Sequence, residues 1–441
     1  MQEIIVPLAS VPVLEQCDVL VCGGGPAGCA AAITASRQGA KTVLIERWSF
    51  PGGMGTASLL GQFHTSDREK QVIRGIMQEL IDRGISKGYC EQLDHYPTHH
   101  DTHNFDIEGL KILYEELLVE AGVKLFYTLT AGDVITEGDR IKAVLCDTKT
   151  GRKAIKAKLF IDATGDGDIA AKAGVPFSYG RQEDGLVQGM TMIYKLIDID
   201  KEQALAITTQ QHQEIINKMR ELTKKGEFPP FGPISFGYYA KGGYPNMCPV
   251  KGNPLHEDSM AQCNITARKQ IEEYVKYFRQ NVPGFQDVKL AFSAPSMGIR
   301  ESRRIHGKKT LTEEDVTGCK KQDDAIGHGC WMIDIHDPKG SGYTTWQDSV
   351  GELPVGRSYH IPYNMMVPVK IDNLLVAGRC ASSTHKAHAS VRVMSHCLVM
   401  GQAAGTAAGM ALNTGVNVSE VDIYALQKKL KEDGVYLEPE T

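Results

Sequence analysis

A short glycine-rich string near the start of the chain has the composition of a phosphate-binding turn. Gly23, Gly25 and Gly28 form the pattern G-x-G-x-x-G, with Pro26 and Ala27 between the last two glycines. Glycine permits a tight turn, lets backbone N–H groups approach a pyrophosphate and allows a helix to pack closely on a strand. The partial positive charge of a helix N-terminus stabilises the phosphates. The spacing predicts a dinucleotide site, and a chance glycine cluster in a turn is the alternative.

The residues around these glycines indicate the elements that must position them. Residues 17–25 (CDVLVCGGG) are typical of a buried strand that runs into a turn, and residues 26–38 of a helix rich in small side chains. Residues 41–46 (KTVLIE) indicate a second strand, which ends at Glu46. An acidic side chain there is placed to accept hydrogen bonds from ribose hydroxyls. Because strand, turn, helix, strand and acid appear in order, a dinucleotide site is favoured over a chance cluster.

Two later stretches extend the candidate site beyond the first turn. Residues 51–56 (PGGMGT) form a second glycine loop, and residues 161–168 (IDATGDGD) follow a predicted β-meander over residues 134–161. This combination resembles the glutathione reductase-type FAD fold, and it is typical of FAD rather than NAD because FAD is longer and needs more backbone contacts. No second G-x-G-x-x-G follows a strand and no cysteine pair follows residues 51–56, so neither a nicotinamide domain nor dithiol chemistry is predicted. The chain also lacks C-x-x-C, the usual spacing of iron–sulfur and zinc-ribbon ligands.

Three long segments resemble a single family. Residues 161–177, residues 298–316 (GIRESRRIHGKKTLTEEDV) and residues 361–412 are similar to the broad bacterial family of FAD-dependent oxidoreductases. That family is distantly similar to the flavoproteins of fumarate reductase and succinate dehydrogenase. The resemblance runs from about Cys17 to Leu412. It implies the fold and a non-covalent FAD, and it does not identify a substrate.

The predicted cofactor-binding residues combine these motifs with positions that the resemblance implies. They are Gly23, Gly25, Pro26, Ala27, Gly28, Glu46, Arg47, Gly53, Met54, Thr56, Ala163, Thr164, Gly165, Asp168, Gly378, Arg379, Val391, Arg392 and Val393. The resemblance implies that Thr56 forms a hydrogen bond near flavin N5 and that residues 391–394 lie near the flavin pyrimidine ring. A helix N-terminus at that point would stabilise negative charge on the reduced flavin.

An arginine-rich stretch supplies the first candidate for substrate contact. In an extended segment, Arg300 and Arg304 point to the same side and Arg303 points to the other. A buried arginine needs a partner, and a substrate carboxylate or phosphate would provide a bidentate one. We predict that Arg303 contacts substrate or flavin. The alternative is that Arg303 pairs with Glu301 or a backbone carbonyl and braces two lobes of the protein.

Two groups of histidines are candidates for catalysis or metal binding. His385 and His388 precede the stretch implied to contact the flavin, so we predict that they are catalytic, with structural hydrogen bonding as the alternative. The second group lies in a polar stretch, DHYPTHHDTH, and comprises His95, His99, His100 and His103 together with Asp101. Imidazole and carboxylate groups are suitable metal ligands. Without helix or strand spacing to fix their geometry, a solvated or substrate-facing loop is favoured and no metal is predicted.

Helical patterns predict four further helices. One contains the apolar residues Val72, Ile73, Ile76, Met77, Leu80 and Ile81, and another runs from about Ile107 to Ala121 with Asp106 as its cap. Two long amphipathic helices are predicted near residues 201–224 and 264–281.

The order of elements predicts an α/β fold. We expect a Rossmann-like FAD-binding domain in three layers, with a parallel sheet plus a β-meander, and an inserted α+β substrate domain. The predicted boundaries are 15–175 for the first part of the FAD-binding domain, 176–347 for the inserted substrate or cap domain, 348–415 for the second part of the FAD-binding domain, and 416–441 for a C-terminal helical tail. Gly401, Gly405 and Gly409 recur along one face of a predicted helix, which favours its close packing on the FAD-binding domain over membrane dimerisation.

Composition limits the classes of protein to be considered. The 441 residues are 42% hydrophobic and 23% charged, with 48 Lys and Arg against 53 Asp and Glu and a net charge of −5. This balance excludes a disordered or fibrous chain and offers no basic footprint for nucleic acid. No apolar run reaches the roughly 18 residues needed to span a membrane, and no signal peptide is recognised at the N-terminus. The 11 cysteines are too sparse for a disulfide scaffold, which favours a cytoplasmic location.

These observations favour an enzyme. The leading hypothesis is an FAD-dependent oxidoreductase that transfers a hydride between a small polar organic substrate and flavin N5, while a protein side chain handles the proton. One alternative is a fumarate reductase-like enzyme that reduces an activated C=C bond, and another is a non-catalytic flavin-binding subunit. The expected partners are a small-molecule substrate and an unknown electron acceptor. The oligomeric state stays open, with a homo-oligomer among the alternatives.

Overall fold

The computed structural model describes residues 10–93, 102–340 and 353–438. The strands are β1 (Val13–Cys22), β2 (Thr42–Glu46), β3 (Gln62–His64), β4 (Cys90–Leu93), β5 (Thr102–Phe105), β6 (Lys124–Tyr127), β7 (Thr130–Glu137), β8 (Arg140–Thr148), β9 (Gly151–Asp162), β10 (Phe177–Tyr179), β11 (Met190–Thr191), β12 (Tyr194–Ile197), β13 (Pro249–Val250), β14 (Lys289–Ser293), β15 (Arg303–Ile305), β16 (Ala325–Gly329), β17 (Tyr359–Pro362) and β18 (Leu374–Val376). The α-helices are α1 (Pro26–Arg37), α2 (Ile76–Ser86), α3 (Ile107–Glu120), α4 (Asp168–Lys172), α5 (Lys201–Leu205), α6 (Thr209–Lys224), α7 (Phe236–Ala240), α8 (Glu257–Asn281), α9 (Glu313–Thr317), α10 (His385–Val391), α11 (Met394–Thr414) and α12 (Ile423–Glu432).

A seven-stranded sheet forms the centre of the first lobe. Its order is β6-β2-β1-β9-β8-β7, and β18 pairs with the C-terminal end of β9. The pairs β6/β2, β2/β1, β1/β9 and β9/β18 are parallel, whereas β7, β8 and β9 form an antiparallel meander. The predicted α/β class, with a parallel sheet plus a β-meander, is confirmed.

The strand register brings the predicted motifs together at one edge of this sheet. Cys22 of β1 lies opposite Ile45 of β2 and Asp162 of β9, and Asp162 also lies opposite Val376 of β18. The segments that follow these four strands therefore leave the sheet side by side. The carboxyl edge of a parallel sheet is where ligands bind in folds of this class.

Helix α11 packs directly on α1. A Cβ atom on Gly401 would lie 2.1 Å from the carbonyl oxygen of Ala27, and one on Gly405 would lie 2.1 Å from that of Ala31. The glycine repeat therefore allows the two helix backbones to approach, as predicted. Within the described ranges, no helix is long and apolar enough to cross a membrane.

Two predicted helices differ from the structure in their bounds. Helix α2 begins at Ile76, after the predicted apolar residues Val72 and Ile73, because both of their N–H groups donate to the carbonyl of Thr65 and Gly75 has a φ of +65°. The helix predicted over 201–224 is interrupted between α5 and α6. Thr208 caps α6 there, accepting a hydrogen bond from the N–H of Gln211, while the Gln211 side chain accepts from the N–H of Thr208.

A second hydrophobic core lies within the inserted segment. Its buried residues run from Met190 to Ile299 and include the large aromatic side chains of Tyr194, Tyr274, Phe278 and Phe285. The first core is built from residues 17–175 and resumes at residue 305. Two cores are consistent with a lobe inserted into the first, and the exact domain boundaries stay a proposal.

Candidate active site

A cavity of about 460 Å³ opens at the carboxyl edge of the parallel sheet. This volume falls within the range of small-molecule binding sites, roughly 300–1,000 Å³. Its wall includes these predicted cofactor-binding residues: Gly23, Gly25, Pro26, Ala27, Glu46, Arg47, Gly53, Met54, Ala163, Thr164, Gly165, Asp168, Gly378, Arg379, Arg392 and Val393. Both lobes contribute, since parts of residues 232–249 and 296–300 in the inserted segment line the same cavity.

The glycine turn after β1 leaves room for a ligand and for close packing. A Cβ on Gly28 would lie 1.8 Å from the carbonyl oxygen of Gly23, so this glycine allows α1 to approach the strand and does not itself line the cavity. For a Cβ on Gly25, in contrast, the nearest atom would be the Cα of Gly53 at 4.0 Å. The space beside Gly25 is thus open towards the cavity. The first turn of α1 also has no side-chain cap, which suits an anion at the helix N-terminus.

Two backbone N–H groups hold the Glu46 side chain in place, one in the glycine turn after β1 and one just after β2. Its side chain is buried, and its carboxylate accepts hydrogen bonds from the N–H of Gly24 at 2.6 Å and of Trp48 at 2.9 Å. Burial raises the pKa of Glu46, although the two N–H donors oppose that shift. The residue lines the cavity at the position expected for a ribose contact.

The segment after β9 is shaped by buried carboxylates. Asp162 accepts hydrogen bonds from the N–H and hydroxyl of Thr164 and from the N–H of Ala170, and burial raises its pKa to about 6. Asp166 accepts from Arg379 at 2.8 Å and from Ser302 at 2.6 Å. The positive charge of Arg379 at the cavity wall is therefore already balanced by a carboxylate of the protein.

Two predicted cofactor contacts besides Gly28 lie behind the cavity wall. The hydroxyl of Thr56 donates to the carbonyl of Pro51 at 2.7 Å, and this side chain is buried. Val391 is also buried and does not line the cavity, whereas Arg392 and Val393 after it do. Val393 is the N-terminal cap of α11, so the N-terminus of this long helix faces the cavity.

The three residues predicted to be catalytic do not line the cavity. Arg303 donates to Asp168 at 2.8 Å and to the carbonyl of Asp166 at 3.0 Å, in agreement with the alternative that it braces the structure. His385 contacts the carboxylate of Glu301 at 2.9 Å. His388 lies 3.0 Å from the carbonyl oxygen of Arg379, and burial lowers its pKa well below the usual range.

Four other residues form an ionic group in the cavity wall, which we call the Arg300 cluster: Arg300, Asp334, His336 and Arg392. His336 Nε2 lies 3.1 Å from Asp334 Oδ2. Arg392 donates to the carbonyl of Asp334 at 3.0 Å and lies 3.6 Å from its carboxylate. Arg300 donates through Nη1 to the carbonyl of Gly189 at 2.7 Å and to a threonine hydroxyl at 2.5 Å. The sequence motifs did not indicate this group as a whole.

The charged groups of the Arg300 cluster shift one another's pKa values. Burial, followed by the charge of Arg300, lowers the pKa of His336 to about 4, although Asp334 opposes this shift. Burial alone would raise the pKa of Asp334, but His336, Arg392 and Arg300 together lower it. Burial and Arg392 lower the pKa of Arg300 to about 9. At neutral pH, His336 is therefore neutral, Asp334 is ionised and both arginines are charged.

The predicted histidine loop is described only in part. His95, His99, His100 and Asp101 lie outside the described residues. His103 is buried in β5, where its Nδ1 lies 3.3 Å from the hydroxyl of Thr65. Among the described residues, no group of three His, Cys, Asp or Glu side chains is placed to hold a metal ion.

The fold and the glycine-lined cavity define the protein as a dinucleotide-binding α/β protein of the flavoprotein type. Its sequence matches the family described as FAD dependent oxidoreductase over residues 18–430, and the chain belongs to this family. The predictions of an FAD cofactor and of an enzyme of the oxidoreductase class are thereby confirmed.

Individual relatives are similar over shorter stretches or at low identity. The chain is 51% identical to sarcosine oxidase subunit alpha of Rhizobium meliloti over 51 residues, which are 12% of this chain and 5% of that protein. It is 28% identical to thiamine thiazole synthase of Metallosphaera sedula over 169 residues, 35% of this chain and 57% of that protein. A geranylgeranyl bacteriochlorophyll reductase-like structure from Thermoplasma acidophilum is 14% identical, with a TM-score of 0.49, and the match covers 95% of this chain and 84% of that one.

Proposed function

We propose that this enzyme transfers a hydride between a small polar organic substrate and N5 of a non-covalent FAD within the cavity at the sheet edge. One observation carries the proposal: the glycine turn, Glu46 and the Arg300 cluster line the same cavity. The motif residues hold the cofactor, and the Arg300 cluster supplies ionisable groups beside it. FAD supplies a two-electron acceptor or donor of hydride.

The residues around the cavity suit the different parts of the cofactor. The open space beside Gly25 and the N-terminus of α1 suit the pyrophosphate. Glu46 suits the ribose of the adenosine part. The N-terminus of α11, preceded by Arg392, suits the part of the flavin on which negative charge develops upon reduction.

His336 is the side chain best placed to handle the substrate proton. When a C–H bond and a neighbouring O–H or N–H bond are oxidised together, the hydride carries both electrons and the second hydrogen leaves as a proton. Because Asp334 can only accept, His336 donates from Nε2 and its Nδ1 carries the lone pair. No described residue forms a hydrogen bond with Nδ1, and His336 lines the cavity. A neutral imidazole can accept a proton, and the adjacent carboxylate of Asp334 would stabilise the imidazolium that forms.

Anaerobic reduction of the bound flavin tests the proposed activity. FAD-loaded protein is mixed with a panel of small polar metabolites, and the loss of oxidised flavin absorbance is recorded. Photoreduction serves as the control that the flavin can be reduced. We expect at least one metabolite to bleach the flavin. A protein that photoreduces but responds to no metabolite would instead support a non-catalytic flavin-binding subunit.

Reoxidation of the reduced enzyme separates the two enzymatic hypotheses. Fumarate, quinones and O₂ are added in turn to photoreduced protein. Rapid reoxidation by fumarate alone would favour reduction of an activated C=C bond over oxidation of a substrate. The electron acceptor, a cytoplasmic location and a bacterial source stay predictions.

A further inference from the structure

Arg300 is a buried arginine that forms no salt bridge with any residue that the structure describes. Its side chain lines the cavity, and the residue is 8% exposed. Both of its hydrogen bonds come from Nη1 and go to neutral oxygens, those of Gly189 and Thr191. Among the described residues, none accepts a hydrogen bond from Nε or Nη2, and none forms a salt bridge with this guanidinium. A buried guanidinium normally pairs with an anion, because removing its charge from water is costly.

The neighbouring charges leave the Arg300 cluster with one positive charge in excess. Asp334 is the carboxylate of the cluster, and it is shared by Arg392 and His336. With His336 neutral, two guanidinium groups face a single carboxylate. An anion with a single negative charge would balance the cluster.

The acidic residues that the structure describes next to the cluster do not supply that anion. Glu301 lies near Arg392 but is already in contact with Arg304 and with His385. Asp166 pairs with Arg379. The excess positive charge is thus specific to the part of the wall around Arg300.

We propose that the substrate is a monocarboxylate whose carboxylate group binds to the guanidinium of Arg300, next to His336. This assignment rests on the proposed function and names the substrate class of the same cavity. A planar guanidinium and a carboxylate form two parallel hydrogen bonds. A phosphate carries a charge of about −1.5 to −2 at neutral pH, so it would leave this buried site negatively charged.

Binding of the carboxylate at Arg300, next to His336, also indicates where the two hydrogens removed from the substrate would go. With the carboxylate held at Arg300, the neighbouring carbon gives up its hydrogen with both electrons, as a hydride. The O–H or N–H on that carbon gives up its hydrogen as a proton to Nδ1 of His336. The substrate thereby becomes the corresponding oxo or imino acid, and FAD, when bound in the cavity, would accept the hydride with its two electrons.

Binding to the oxidised enzyme tests this inference without turnover. Short linear and branched monocarboxylates are titrated into FAD-loaded protein, and the change in flavin absorbance gives Kd. The matching primary amides and inorganic phosphate are titrated in the same way. We expect monocarboxylates to bind at least about tenfold more tightly than their amides and more tightly than phosphate. Equal affinity for acid and amide, preference for phosphate or absence of carboxylate binding would overturn the inference.

Substitution of Arg300 assigns the binding to this residue. We expect Arg300→Met to retain FAD and to bind monocarboxylates about tenfold or more weakly. Arg300→Lys keeps the charge without the planar fork, and we expect an intermediate affinity. Arg268→Met, an exposed arginine of the same lobe, is the matched control and should bind as wild type does.

Each result that differs from this expectation has a different meaning for the inference, for FAD binding and for the proposed activity. Arg300→Met that binds carboxylates as tightly as wild type would overturn the inference. If Arg300→Met loses FAD, Arg300→Lys decides: FAD retained with weakened carboxylate binding supports the inference, and loss of FAD in both assigns Arg300 to the cofactor. Since binding is measured without reduction, a failed carboxylate titration leaves the proposed redox activity intact. Conversely, carboxylate binding without bleaching by any metabolite would count against the activity alone.

Discussion

At the scale of single residues, Glu46 both binds backbone N–H groups near the glycine turn and lines the cavity. Its carboxylate accepts two backbone N–H groups at 2.6 and 2.9 Å. We expect Glu46→Gln to weaken FAD binding about tenfold, because an amide has one accepting oxygen and hydrogen bonds to charged groups contribute roughly 1.5–3 kcal/mol. Reconstitution of apoprotein with FAD, followed by fluorescence, measures the affinity. Glu116→Gln is the control, because Glu116 lies in a surface ion pair with Lys87. Unchanged FAD affinity of the Glu46 variant would mean that another residue holds the ribose.

The low pKa of His336 predicts how catalysis depends on pH. A general base must be neutral, and this imidazole is neutral above its pKa of about 4. Since protonation removes the lone pair, we expect kcat/KM for flavin reduction to be constant near neutrality and to fall only as the pH approaches that value. His336→Gln should lower the rate by about a hundredfold or more and remove this acid limb. Exposed His256→Gln is the control. A rate that falls in the ordinary histidine range would point to another base.

Individual residues differ in how far the sequence predicts them. The turn glycines and Glu46 were predicted because each follows from a local requirement, for backbone space or for an acid at a strand end. Arg300 and Arg304, which the alternation in residues 300–304 placed on one side, are both buried, but of the two Arg300 lines the cavity and Arg304 does not. The sequence could not show which of these arginines faces the cavity, and Arg303 was predicted instead of Arg300. Asp334 and His336 lie outside regular elements, so no periodicity marked them.

At the scale of elements, the contact between α1 and α11 depends on glycine. A Cβ on Gly405 would lie 2.1 Å from the carbonyl oxygen of Ala31 and 2.2 Å from the hydroxyl of Thr34. We expect Gly405→Ala to lower the free energy of unfolding by about 1–3 kcal/mol, because the helices must separate. Gly237→Ala in α7 is the control, since its Cβ would meet only Leu205 at 3.7 Å. Urea unfolding measures the free energy of unfolding of both variants. Equal stability of Gly405→Ala and wild type would show that α1 and α11 can move apart without loss of stability.

Elements with strong local signals were predicted closely. Helix α3 begins after Asp106, whose side chain accepts from the N–H of Gly109 at 2.8 Å, as an N-terminal cap should. Helix α8 instead begins at residue 257, seven residues before the predicted start at 264, because its first three residues are polar and gave no apolar signal. The break between α5 and α6 was missed because Thr208 is also compatible with a helix interior. Local pattern therefore predicts that a helix exists better than where it ends.

At the scale of the whole molecule, pairing between distant segments completes the site. Strand β18 at Leu374–Val376 returns to pair with β9, which adds residues 377–379 to the cavity wall. The family resemblance implied this return, whereas local pattern alone does not determine strand order. The contribution of residues 331–336 was less predictable, because this segment carries no motif and reaches the cavity through tertiary packing within the first core.

Since both lobes line the cavity, bound FAD should stabilise both. A ligand that binds only the folded state adds about 2.7 kcal/mol to the free energy of unfolding at a hundred times its Kd. We expect FAD to slow amide hydrogen exchange in the turn after β1, which belongs to the first lobe, and also in residues 296–300 of the inserted lobe. The hairpin turn at residues 149–150, between β8 and β9, is exposed and serves as the internal control. Protection confined to the first lobe would show that the inserted lobe opens independently while the cofactor stays bound, and the Arg300 cluster would then meet its substrate only on closure.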